Sequence, residues 1–154
     1  MSIVIDRQIQ RPSPKNVEGI ELVEIPKDSP SLRLQTPTYT RVDPTWWEVE
    51  MAVGSCQGEM DGGFGEFCVL SKIDSNTYVQ TAICLGEPNS WRLEWRITEK
   101  DGTYTHFFAR NPCDDENADT LDSVDDVILA FKAFYQNRGL PDSLMWKKYV
   151  IWGE

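Results

Sequence analysis

The chain has little of what most catalytic chemistry uses. It has one histidine, His106, and four cysteines, Cys56, Cys68, Cys84 and Cys113, none of them in a C-x-x-C pair. A zinc site draws on several His and Cys side chains at short spacing, so zinc fails for want of ligands. Gly62 to Gly65 is rich in glycine but lacks the Lys and the spacing of a phosphate-binding loop. No apolar run approaches the roughly 20 residues needed to cross a bilayer, so no membrane partner is expected. The first residues, Met-Ser-Ile-Val-Ile-Asp-Arg, lack a basic stretch leading into a long apolar one, and no signal peptide is expected. With no cross-linking cysteine pattern either, the expected compartment is a reducing cytoplasm. Positive charge is also scarce: 15 Lys and Arg against 25 Asp and Glu give a net charge of −10. That weighs against nucleic acid as a partner, because such binding depends on cations neutralising phosphates.

What the chain does have is enough apolar mass for one domain. Hydrophobic residues make up 40%, including six Trp, six Phe and five Tyr. The strongest local pattern lies at Val124 to Arg138. Val124, Val127, Ile128, Phe131, Phe134 and Tyr135 recur at helical spacing and form one apolar stripe. Ser123 and Asp126 have capping-box spacing, and Asp125 and Asp126 suit the positive end of the helix dipole. Arg138, Gly139 and Pro141 make a stop signal, with Gly139 expected in the left-handed position. A helix with such a stripe must bury it, and the surrounding strand patterns supply the surface.

Those patterns run from Trp46 to Val53, Phe67 to Ile73, Tyr78 to Leu85, Trp91 to Thr98, Tyr104 to Ala109 and Leu144 to Trp152. Trp91, Leu93, Trp95 and Ile97 alternate with Arg92, Glu94, Arg96 and Thr98, as a half-buried strand requires. Asp101-Gly102 marks a hairpin. In Trp46 to Val53, alternation puts Trp47, Val49, Met51 and Val53 on the core face and leaves Trp46 on an acidic one. Prolines at 12, 14, 26, 30, 37 and 44 make residues 1–45 an irregular arm or meandering strands. The expected fold is α+β, one domain over residues 1–154: an antiparallel meander sheet with one long C-terminal helix packed on one face and a short final strand.

Three arrangements could carry chemistry. Gly54-Ser55-Cys56-Gln57-Gly58 has the form of a nucleophile elbow with cysteine, and His106 is the sole candidate base. The elbow needs a helix directly after it; here Glu59-Met60-Asp61-Gly62-Gly63 reads as a loop. Asp114-Asp115-Glu116, beside Cys113 and near Asp119, lacks the alternating acids and turn glycine of a calcium loop. No catalytic residues, metal or other cofactor are therefore expected. The third arrangement is charge: from Asn111 to Phe131 there are seven acids and no Lys or Arg. Helix-start chemistry and a solvated loop account for part of this. The rest reads as an acidic docking surface for a basic partner, extended by Glu59 and Asp61, with Trp46 as a contact anchor.

The second half of the chain also resembles a known family. Ile83-Cys84-Leu85-Gly86 is followed by Ser90-Trp91-Arg92-Leu93-Glu94-Trp95 and by Gly102. Then come the helix with Ala130-Phe131 and Phe134, and the tail Gly139-Leu140-Pro141-Asp142 with Trp146. Their order and spacing over residues 64–152 are similar to those of bacterial immunity proteins encoded beside polymorphic toxins, often deaminases. The resemblance implies an α+β toxin inhibitor with no catalysis of its own. It would bind and occlude the cognate toxin through Asp114, Asp115, Glu116, Asp119, Glu59 and Asp61. The alternatives are a small-molecule-binding or regulatory module, and a cysteine hydrolase built on Cys56 and His106. A homodimer formed through a sheet edge or an exposed Trp is also open.

Overall fold

The computed structural model describes residues 25–56, 67–83, 90–110 and 120–151. Within them one antiparallel sheet is covered on one side by two helices, which establishes the α+β class. The elements in chain order are β1 (Leu32–Gln35), β2 (Thr40–Val42), α1 (Trp46–Gly54), β3 (Phe67–Lys72), β4 (Tyr78–Ile83), β5 (Trp91–Thr98), β6 (Tyr104–Arg110), α2 (Val124–Tyr135) and β7 (Met145–Ile151). The strand order is β2-β1-β3-β4-β5-β6-β7, and every neighbouring pair is antiparallel. From β3 onward the sheet is a meander, with α2 inserted before β7. The Pro-rich early segment is no loose arm at its C-terminal end. Leu32 and Leu34 of β1 are core residues, and the β1–β2 hairpin forms one edge of the sheet.

The main correction concerns Trp46 to Val53, which is helical. Thr45 Oγ1 accepts from the Glu48 N–H at 3.1 Å, and Glu48 Oε1 accepts from the Thr45 N–H at 2.9 Å. These two bonds form a reciprocal capping box. Trp46, Val49, Val53 and Cys56, with Ala52, then fall on one buried face. Alternation and helical periodicity share Val49 and Val53 here, and the Thr45-x-x-Glu48 box is the signal that separates them. In a helix Trp46 turns inward and is 3% exposed, whereas Trp47 and Met51 turn outward at 48% and 52%. The anchor role read for Trp46 fails on this burial: its ring lies 5.5 Å from that of Tyr135.

The second helix follows its apolar stripe. Val127, Ala130, Phe131, Phe134 and Tyr135 are buried, with Val124 and Ile128 packed at the margin. Its cap is Ser123 Oγ accepting from the Asp125 N–H at 3.2 Å. The helix stops at Tyr135, earlier than Arg138. The left-handed residue is Asn137 (φ 59°), not Gly139. The Arg138 N–H reaches the Ala133 carbonyl and the Asn137 N–H that of Phe134, the paired bonds of a Schellman ending.

Alternation of side chains divides the sheet into two faces. Leu34, Cys68, Leu70, Val79, Leu93 and Trp95 point to the helices and are buried. Trp95 meets Phe134 edge-on at 5.2 Å and Trp146 at 6.0 Å. Two long-range hydrogen bonds fix the helices: Tyr135 Oη–H donates to the Pro44 carbonyl at 2.9 Å, joining α2 to the entry of α1, and the Trp91 Nε1–H donates to the Cys56 carbonyl, joining the sheet to the end of the α1 segment.

Candidate functional site

Six of the seven residues expected to contact a partner lie outside the described residues: Asp114, Asp115, Glu116 and Asp119, and Glu59 and Asp61. The seventh, Trp46, is buried. On α1 the aromatic residue that does reach the surface is its neighbour Trp47. One turn on is Met51, so both stand on the outward face of α1. Glu50 is half-exposed on the same helix, and Glu48 is engaged by Arg41. The capping box selects Trp47 over Trp46, since once the helix start is set, the 3.6-residue period decides which Trp faces out.

Cys56 and His106 are separated by the sheet. Cys56 ends the α1 segment on the helical side, is 1% exposed, and donates its S–H to the Ala52 carbonyl at 3.6 Å. His106 is paired with Arg96 across β5 and β6, and so belongs to the opposite face. A base on the far side of a sheet cannot take the proton of this thiol, so a Cys56–His106 hydrolase is overturned. Cys68 is equally unsuited as a nucleophile. Burial pushes its thiol well above the ordinary value, which suppresses the thiolate. Among the described residues no group of three His, Cys, Asp or Glu could hold a metal ion.

The face of the sheet away from the helices carries a second aromatic cluster. His106 and Phe108 stack with centroids 5.4 Å apart and planes 20° from parallel. Tyr149 meets Phe108 edge-on at 5.0 Å, and Tyr78 meets His106 edge-on at 6.0 Å. His106 Nε2 lies 3.1 Å from Glu94 Oε1, which orients the ring. Periodicity placed these residues on a shared face, but the cross-strand register was needed to bring them together.

Near the β1–β2 turn, Thr36, Tyr39, Ala52, Ser55, Cys56 and Phe67 line a cavity of about 140 Å³. That is below the roughly 300–1,000 Å³ of ordinary small-molecule sites. Among the described residues no helix is long and apolar enough to span a membrane. No protein-family model, curated protein or solved structure matches the chain.

Proposed function

We propose that this protein is a non-catalytic inhibitor of the immunity-protein kind. It binds a cognate toxin domain and blocks its active site or substrate groove. The observation that carries this reading is the outward pair Trp47 and Met51 on a helix whose ionised side chains are acidic. Trp is favoured at the centres of protein interfaces, and Met adapts to the shape of a partner. The described acids of the helical layer are Glu48, which pairs with Arg41, and Glu50 on α1, and Asp125 and Asp126 in the first turn of α2, with Asp122 just before it. A toxin that acts on nucleic acid carries a cationic substrate groove, which an acidic inhibitor complements and approaches quickly. The separation of Cys56 from His106 removes the cysteine-hydrolase alternative.

Co-expression with the product of the adjacent gene tests it. The expected result is rescue of growth from a toxic neighbour, together with co-purification of the two proteins. Trp47→Ala should weaken the complex at least tenfold while leaving the fold intact. A neighbour that is harmless, or a complex indifferent to Trp47, would count against the proposal.

A further inference from the structure

The face of the sheet away from the two helices gathers charge of the sign the chain has least of. The strand register places Arg33, Arg92, Arg96, Arg110 and Lys147 on it, and among the described strands Glu94 is the acid they share the face with. Glu94 turns to His106. Arg92 and Arg96 have no carboxylate partner among the described residues.

Both guanidinium groups are nevertheless held in place. Arg96 lies 3.9 Å from the Tyr104 ring centroid and 5.1 Å from that of Tyr78. Arg92 lies 5.4 Å from that of Phe108. Stacking on rings fixes an arginine's plane without consuming its N–H donors. Two nitrogens on this face are buried with no partner among the described residues: Arg96 Nε and, directly across the strand pair, Nδ1 of the 7%-exposed His106. Buried polar atoms are seldom left unpaired, so this cluster keeps hydrogen-bonding capacity that no described residue uses.

We propose that this face docks an acidic, extended segment of a partner protein, with carboxylates taken by Arg92 and Arg96. The two arginines are four residues apart on one strand, about 13 Å at roughly 3.3 Å per residue. Glu94 lies between them on the same face. The matching segment therefore carries acids at positions i and i+4, with a neutral or basic residue at i+2. Arg–carboxylate pairs give the directional hydrogen bonds, and the surrounding rings exclude water. Single-stranded nucleic acid is the poorer fit. It needs bare ring faces for its bases, and here His106 and Phe108 cover each other while arginines cover Tyr104 and Phe108. The face lies on the side of the sheet away from α1, so this docking is separate from the one proposed through Trp47.

Fluorescence anisotropy on the full chain tests the proposal. The probes are a labelled 11-residue peptide with Glu at every fourth position between Thr and Val, the same peptide with Gln for Glu, and a 12-nucleotide oligothymidine. The Glu peptide should bind at least tenfold tighter than the Gln peptide and weaken as salt rises. Arg96→Gln and Arg92→Gln should each weaken it at least fivefold; Arg92 is exposed, so its variant keeps the fold. Trp47→Ala should leave peptide binding unchanged. Equal affinity for the Glu and Gln peptides, no binding of the Glu peptide at millimolar concentration, tighter binding of the oligonucleotide, or arginine variants that match the parent would each overturn the proposal.

Discussion

The two faces of the sheet are made by the same strands, yet they follow different chemistry. On the helical side Leu70, Val79, Leu93 and Trp95 lie under Phe131 and Phe134, and all of them are buried. On the other side Tyr78, Arg96, Tyr104 and Phe108 cover one another and stay half-exposed. The first face gains stability from removing apolar area from water. The second combines smaller burial with ring–ring and cation–ring contacts. The difference teaches where change is tolerated: the inner face is constrained by volume, while the outer face has chemistry to spare for a partner.

The sharpest way to break this comparison is a matched pair of truncations. Phe131→Ala should cost about 3–5 kcal/mol in denaturant unfolding, the range for a fully buried Phe. Phe108→Ala should cost less than half of that; equal losses would mean that the outer face is also a core. The neighbouring tryptophans make the same contrast inside one helix. Trp46→Ala should destabilise by about 3 kcal/mol or more, and Trp47→Ala should stay within about 0.5 kcal/mol.

A pH titration sharpens the account of the inner face. Native Cys68 keeps its proton above the ordinary thiol value of 9.0, where the unfolded chain loses it. The native state then binds more protons, so its contribution to stability is complete below pH 9 and declines as pH rises further. The slope should approach about 1.4 kcal/mol per pH unit, and Cys68→Ala should remove that part of it. The smallest effect lies at the end of α2. Asn137→Ala, at φ 59°, should cost about 1 kcal/mol by thermal unfolding, while Asn137→Gly should be neutral or slightly stabilising.

The strands β3 to β7 and the stripe of α2 could be read directly, because their periodicity is clean and their turns carry Asp, Asn and Gly. The first helix could have been read from Thr45 and Glu48, but Val49 and Val53 satisfy two periods at once and Trp47 and Met51 imitated a buried strand face. The left-handed residue that ends α2 is Asn137, two residues before the glycine that signalled it, since Asn also tolerates that conformation. Of the candidate site, Trp46 was misplaced by one position, and one position on a helix is about 100° of rotation.

Residue pattern alone determined the α+β class, the faces of the alternating strands and the poverty of catalytic ligands, since these depend on side-chain order and composition. Tertiary structure decided the rest. Which tryptophan is buried depends on what α1 packs against, and Cys56 and His106 are parted by a sheet that no local pattern describes. The joining of Arg96, Tyr104, Tyr78 and His106 in one cluster depends on cross-strand register. Such contacts link residues far apart in the chain, and their geometry is set only when the layers close on one another.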